Sequence, residues 1–254
     1  MTPGPSPAQR LRHAEHVMGT VVSFDVPASV AGAPLAAVLR WLHWVDGTFS
    51  PYRRGSDVSR LGRGEATLAE CAPELAGVLA ECAAVGELSG GYFTATPGGR
   101  LDPSGYVKGW AVERASAMLT AAGAADHCVN GGGDVQAAGG RAAGEPWRVG
   151  ICDPFRPGAL ALVVAGRDFA VATSGVAERG GHIIDPHAGR PAAGLASVTI
   201  VGSGLARTDA YATAAFAMGA RARGWLAGLD GYEAFAIAAD GSAWQTAGFG
   251  AYLA

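Results

Sequence analysis

Apolar positions along the chain follow two periods. Leu35, Val38, Leu39, Leu42 and Val45 recur at helical spacing, so residues 34–45 read as an amphipathic helix. A second helix is expected over 73–89, with Pro73 in its first turn and Gly90-Gly91 closing it. A third runs from Gly109 to Ala122 and stops at Gly123; a fourth runs from Arg207 to Met218 and stops at Gly219. Ser56 is placed to cap a short helical turn containing Val58 and Leu61. Strand-like stretches cover His16 to Val26, halted by Pro27, and residues 127–130, 147–151, 160–165, 169–173, 181–184 and 197–201. Tyr232 to Ala238 and Ser242 to Phe249 flank Asp240-Gly241 as a β-hairpin would. Hairpins interspersed with helices favour an α+β fold with an antiparallel sheet over a doubly wound parallel one. Residues 1–12 read as a flexible tail, and 13–254, free of repeats and long linkers, as a single domain.

Composition narrows the function. The chain of 254 residues can bury a large core, and 49% hydrophobic content excludes disorder by low hydrophobicity. Charged residues make up 16%, and 19 Lys+Arg against 22 Asp+Glu leave 19 − 22 = −3 with no basic stripe. Electrostatic nucleic-acid binding is therefore not expected. Glycine, at 39 residues in short clusters between apolar runs, points to tight turns or backbone-lined ligand loops. Cys71, Cys82, Cys128 and Cys152 form no C-x-x-C pair, so neither a zinc knuckle nor a redox motif is spelled and the thiols read as buried or idle. No apolar run approaches the ~18 residues of a membrane span. Pro3, Pro5, Pro7, Arg10 and Arg12 interrupt the start too often for a signal peptide, so a cytoplasmic protein is expected.

Two residues stand out by rarity. Lys108 is the only lysine and Asn130 the only asparagine, and both sit in glycine-rich segments. The favoured reading is that a compact ammonium and a side-chain amide are needed there and are not replaceable by a guanidinium or another polar group; chance placement is the alternative. Gly202-Ser203-Gly204 lacks the third glycine of a dinucleotide fingerprint and an acidic residue about 20 positions on, so a plain strand–turn–helix is expected. There is no Walker sequence and no H-E-x-x-H, and His13 and His16 fall near the tail. Asp209 and Thr213 lie i, i+4 on one face of the fourth helix, at its first turn. They either answer the helix dipole and bond the backbone, or join carbonyls in a site for a hard cation such as magnesium. Thr173-Ser174-Gly175 and the segment His182 to Gly189 describe a hairpin and its exit turn, with Asp185 before Pro186 fixing that turn.

In order, several segments resemble the ApbE family, the FAD:protein FMN transferases. They are His16-Val17-Met18-Gly19-Thr20, Phe49-Ser50-Pro51-Tyr52, Ser56 to Leu61, Leu101-Asp102 through Val112, and Asn130-Gly131-Gly132-Gly133-Asp134. Trp147 to Ile151 with Asp153-Pro154, then Thr173 to Gly175, His182 to Gly189 and Asp209 to Thr213, complete the series. The resemblance implies a T-fold-like α+β domain, an antiparallel sheet packed against helices, that binds FAD and Mg²⁺. It implies transfer of FMN from FAD to a Thr or Ser hydroxyl of an acceptor flavoprotein, with AMP released. It places the cation on the Gly105 carbonyl, the Asp209 carboxylate, the Ala212 carbonyl and Thr213. Flavin and phosphate contacts fall to Met18, Tyr52, Tyr92, Phe93, Thr94, Asp102, Lys108 and Ile184, and His182 matches the histidine assigned to proton transfer.

The chain departs from the family where Phe93-Thr94-Ala95-Thr96 replaces the usual Phe-Asp-Pro-Thr, where the stretch before Asp102 is shorter, and where Glu113 replaces an Asp. Alternatives from other classes are an FAD pyrophosphatase, with water in place of the acceptor hydroxyl, and a flavin-binding protein without turnover. The loss of a carboxylate at Thr94 speaks for the last.

Overall fold

Alternation of buried and exposed positions begins earlier in the chain, and breaks sooner, than the expected strand from His16 to Val26. In the computed structural model, which describes residues 9–176 and 183–254, two strands occupy this region: β1 (Arg10–Val17) and β2 (Thr20–Pro27). They pair antiparallel across Met18-Gly19, where φ is +55° and +70°, the left-handed pair that a two-residue hairpin turn requires. Met18 hides this turn in the sequence, because methionine is not a residue that favours positive φ. Arg10 to Arg12 are strand rather than tail. So are His13 and His16, and His13 Nε2 lies 3.3 Å from Glu15 Oε2.

Further strands are β3 (His127–Gly131), β4 (Asp134–Ala138), β5 (Trp147–Cys152), β6 (Leu160–Gly166) and β7 (Phe169–Gly175). After the short β8 (Ile184–Asp185) and β9 (Arg190–Pro191) come β10 (Leu195–Gly202), β11 (Glu233–Ala238) and β12 (Ala243–Gln245). The expected strand over 181–184 falls partly on residues outside those described. The main sheet has eight strands in the order β1-β2-β3-β4-β7-β10-β11-β12, and every pair is antiparallel. The expected α+β class with an antiparallel sheet is what forms. Among the described residues, the α-helices are α1 (Ala33–Phe49), α2 (Asp57–Gly62), α3 (Pro73–Leu88), α4 (Ser104–Ala121), α5 (Leu205–Met218) and a short α6 (Ala222–Leu226). Ser56 caps α2 as expected, its hydroxyl accepting from the Ser59 N–H at 3.1 Å.

Helices α4 and α5 pack together over one face of the sheet, against β3, β4, β7 and β10. The β5–β6 hairpin lies over the other face, closing a second core of Val135, Trp147, Ile151, Val164, Phe169, Val171 and Phe249. Covered on both sides, β10 is buried along its whole length, which is why it reads as a nearly unbroken apolar run. The α4–α5 contact is close because α4 presents Gly109 to it: a Cβ there would lie 2.5 Å from the Leu205 carbonyl oxygen and 2.9 Å from the Asp209 Cβ.

His127 is fully buried where α4 returns to the sheet. Its Nδ1–H donates to the Ala124 carbonyl at 2.8 Å, so its Nε2 accepts from the Ser116 hydroxyl at 2.7 Å. Both nitrogens are satisfied in the neutral ring, and burial holds the pKa below 6.5. Below pH 6.5 the unfolded imidazole therefore takes a proton that the folded one refuses, and stability is lost as pH falls. Urea unfolding between pH 7.5 and 5.5 should show this as a slope of up to about 1.4 kcal/mol per pH unit that His127→Gln removes. An identical slope in both proteins contradicts the assignment.

Candidate functional site

The β1–β2 and β3–β4 turns come together at one end of the sheet. Gly132, at φ +64°, lies so close to Thr20 that a Cβ would meet the threonine Oγ1 at 2.5 Å. Asn130 holds this turn, its Oδ1 accepting from the Gly133 N–H at 2.8 Å, which gives the sole asparagine a structural task. Opposite these turns stand the first turns of α4, the middle of α5 and the end of β7. Between them opens a cavity of about 460 Å³, lined among others by Thr20, Thr94, Lys108, Thr173, Asp209 and Thr213.

Lys108 projects from α4 with its side chain 24% exposed. Its ammonium ion-pairs with Asp134 Oδ2 on β4 and lies 3.2 Å from Asp209 Oδ2 on α5. Backbone N–H groups fix both carboxylates: Thr173 donates to Asp134 Oδ1 at 2.9 Å, and Gly109 donates to Asp209 Oδ2 at 3.1 Å. The Gly109 N–H is the one that helix geometry aims at the Gly105 carbonyl, four residues back, so the carboxylate draws on a donor that this carbonyl would otherwise claim whole.

Helix α5 begins two residues before the expected Arg207, which puts Asp209 in its second turn rather than at its start. The dipole explanation of Asp209 therefore fails. The start of α5 is capped from elsewhere: Leu205 N–H donates to Gln136 Oε1 and Ala206 N–H to Glu113 Oε2, both at 2.8 Å. Glu113, one of the departures noted above, reaches across from α4 and so sets where Asp209 stands. The strand–turn–helix reading of Gly202-Ser203-Gly204 holds, since β10 ends at Gly202 and α5 starts at Leu205.

Of the expected site residues, Tyr92, Phe93, Thr94, Asp102, Gly105, Lys108, Ile184, Asp209 and Thr213 line the cavity. Tyr52 is 79% exposed and does not line it. Met18 packs against the main core while its neighbours Gly19 and Thr20 form the wall, and Ala212 is buried behind the lining. His182 lies outside the described residues. Asp102 accepts from the Ser104 N–H at 3.0 Å and from the Ser104 hydroxyl, an Asx turn that leads into α4. The Thr94 hydroxyl accepts from the Thr96 N–H at 3.0 Å, so it keeps a local turn without supplying a charge. Asp134, only 1% exposed, was legible as part of a glycine-rich segment but not as the partner of Lys108.

The oxygen donors suit a hard cation. Gly105 and Thr213 approach each other, a Cβ on Gly105 lying 3.6 Å from Thr213 Cγ2, and the Asp209 carboxylate lines the same cavity. Among the described residues no three His, Cys, Asp or Glu side chains form a metal-ligating cluster. A cation here would rest on one carboxylate with neutral oxygens, the pattern of magnesium completed by water and phosphate. Burial pushes the Cys82 and Cys128 thiols up to about 12, in keeping with idle thiols.

An antiparallel sheet ending in glycine turns, with one ammonium and several oxygen donors facing a cavity, marks an α+β domain whose cavity lies at one end of its main sheet. The model of the ApbE family matches residues 18–99 and 94–236, and the chain belongs to that family. It is 43% identical over 129 residues, 48% of this chain, to an FAD:protein FMN transferase of Rhodobacter capsulatus. It is 28% identical over 156 residues, 58% of this chain, to one of Salmonella typhimurium. These matches span 24% and 45% of the relatives' own lengths. Among solved structures, the ApbE protein of Thermotoga maritima superimposes with a TM-score of 0.87 at 23% identity, covering 97% of this chain and all of that one. The flavin transferase ApbE of Vibrio cholerae gives 0.85 at 22% identity, with the same coverage. At such identities the likeness establishes the fold. No helix among the described residues is long and apolar enough to cross a membrane.

Proposed function

We propose that this chain is an Mg²⁺-dependent FAD:protein FMN transferase, joining FMN through a phosphoester to a Thr or Ser hydroxyl of an acceptor flavoprotein and releasing AMP. The observation that carries this is the placing of Lys108, Asp209, Thr213 and Gly105 around one cavity in a member of the ApbE family. Two curated relatives bear the name of this activity.

In the reaction, the acceptor oxygen bonds to the FMN-side phosphorus of FAD as the bond to the bridging oxygen breaks. AMP leaves with that oxygen, and the acceptor proton passes to a base. Gly105, Asp209 and Thr213 would hold the cation, whose positive charge on the pyrophosphate lowers the repulsion an incoming oxygen meets. The Lys108 ammonium supplies a second positive charge on the cavity wall. His182 is assigned as the base by family resemblance, because an imidazole can accept a proton near pH 7. The capping of α5 by Gln136 and Glu113 holds Asp209 and Thr213 in place.

The test is incubation of the chain with FAD, Mg²⁺ and a peptide library carrying a single Thr or Ser, followed by mass spectrometry. Peptides heavier by FMN less one water are expected. FMN and AMP without a peptide adduct would instead make the chain an FAD pyrophosphatase, and intact FAD would make it a flavin-binding protein. Lys108→Arg keeps the charge but must fit a planar fork where a point charge sits between two carboxylates. FAD affinity, followed by flavin fluorescence, should fall about tenfold, or about 1.4 kcal/mol. Unchanged affinity would remove Lys108 from the phosphate site.

A further inference from the structure

The face of the sheet away from α4 and α5 is only partly covered. Apolar packing under the β5–β6 hairpin reaches Cys128 on β3, and the outer strands β1 and β2 lie beyond it. Cross-strand register sets Arg12, Asp25 and Cys128 in one row on this face, and Ala14, Ser23 and Asn130 in the next. Against the flank of the hairpin these rows form a groove of about 660 Å³, whose rim adds Arg148 from β5 and Arg141 from the connection before it. Three arginines line it with one carboxylate, an excess of two positive charges on a chain whose net charge is −3. That carboxylate is already taken: Arg10 ion-pairs with Asp25 Oδ1, and Arg12 lies 3.4 Å from Oδ2. Arg141 and Arg148, both exposed, join none of the ion pairs among the described residues.

We propose that this groove seats an acidic segment of the acceptor protein, carried on the same stretch of chain as the Thr or Ser hydroxyl that enters the cavity. The proposal rests on the transferase function and names the part of the acceptor that is gripped. Groove and cavity meet at one turn, since Asn130 lines the first and Gly132 the second. The turn is Gly131-Gly132-Gly133, which has no side chain to bar an extended segment crossing it. The strand geometry then sets a spacing. Cys128, in the row of Arg12, stands four residues before Gly132 (132 − 128), or roughly 13 Å along a strand. An extended acceptor segment covers that length at the same rise, so its Asp or Glu residues should stand about four to six positions from the flavinylated hydroxyl. Guanidinium groups suit carboxylates, which they bind through two parallel hydrogen bonds. Arg12, its side chain 76% exposed, can turn to an incoming carboxylate because Arg10 continues to hold Asp25. A nucleic acid fits less well: Trp147 is buried with its indole N–H donating to the Ala138 carbonyl, so its ring is closed to a stacking base.

The test compares synthetic peptides on the full chain. Each carries one Thr, with aspartates about four to six positions before it or after it, and the matched controls carry asparagines instead. Fluorescence anisotropy of labelled peptides, read without FAD or Mg²⁺, should show an acidic peptide binding about tenfold more tightly than its control at low salt. The difference should shrink at about 0.5 M salt, as it does for charges on a rim. Arg141→Gln combined with Arg148→Gln should remove the difference and leave FAD affinity unchanged, since neither residue lines the cavity. With FAD and Mg²⁺ present, this variant should raise the KM for the acidic peptide about tenfold at unchanged kcat. Equal binding of acidic and neutral peptides by the parent chain, or a preference that survives in the variant, overturns the proposal. So does a single-stranded oligonucleotide that displaces the acidic peptide at a lower concentration than the unlabelled peptide does. FMN adducts formed at the same rate on acidic and neutral peptides overturn it and keep the transferase reading. A binding preference that the variant loses, with no adduct on any peptide, overturns the transferase reading and with it the acceptor as occupant.

Discussion

Replacing Asp209 by alanine is expected to reduce AMP release from FAD by about 10²–10³-fold or more while leaving the fold intact. Asp209 is the one carboxylate in the proposed cation set, and the hydroxyl and carbonyl oxygens that remain carry no charge. Its loss should also abolish any Mg²⁺-dependent rise in FAD affinity. The stability cost should be small, because Lys108 keeps its ion pair with Asp134 and the start of α5 is capped independently by Gln136 and Glu113. A melting temperature within a few degrees of the parent, together with absent turnover, is the expected pair of results. Thr213→Val should give a weaker form of the same defect, about tenfold, since a hydroxyl contributes a donor oxygen but no charge. Parent-like turnover by the Asp209 variant at low Mg²⁺ contradicts the assignment.

Gly109→Ala is expected to destabilise the protein by about 3 kcal/mol, the upper part of the usual range for overpacking. The new methyl would meet the Leu205 carbonyl oxygen at 2.5 Å. That atom is backbone, so the two helices must part rather than a side chain turn aside. In a domain of this size the melting temperature should fall by roughly 6–12 °C. The same shift moves Asp209, whose Cβ lies 2.9 Å from the added atom, so FAD turnover should fall as well. Gly47→Ala in α1 is the matched control. Nothing lies within 4 Å of its Cβ, so the gain in helix propensity should stabilise the chain by about 0.5–1 kcal/mol. Equal and small effects at both positions would show that the α4–α5 contact is looser than described.

Features whose cause lies close by in sequence were the legible ones. The amphipathic spacing of α1, the proline start of α3 and the Ser56 cap all act within a few residues, and each was placed within a turn or so of its true position. The i, i+4 spacing of Asp209 and Thr213, and the solitary Lys108, likewise marked residues that line the cavity. Features with a distant cause were hidden. Strand β4 was not among the expected strands: it contains Asp134 and Gln136, polar residues whose partners on α4, β7 and α5 lie far away in sequence. The Met18-Gly19 turn went unseen because hairpin geometry forces a methionine into a conformation that its side chain does not favour. Asp209 was placed in the first turn rather than the second because the helix starts two residues earlier, where Glu113, 93 residues before Ala206, caps it.

In the proposed reaction, the cavity around Lys108, Asp209 and Thr213 cleaves the FAD pyrophosphate with a bound cation. The most direct test is chromatographic detection of AMP after incubation of the purified chain with FAD and the Thr/Ser peptide library, in Mg²⁺ and in chelator, alongside Asp209→Ala. AMP formed by the parent chain in Mg²⁺, but neither in chelator nor by the variant, is the predicted result. AMP formed at equal rates with and without Mg²⁺, or FAD left intact by the parent chain under every condition, would contradict it.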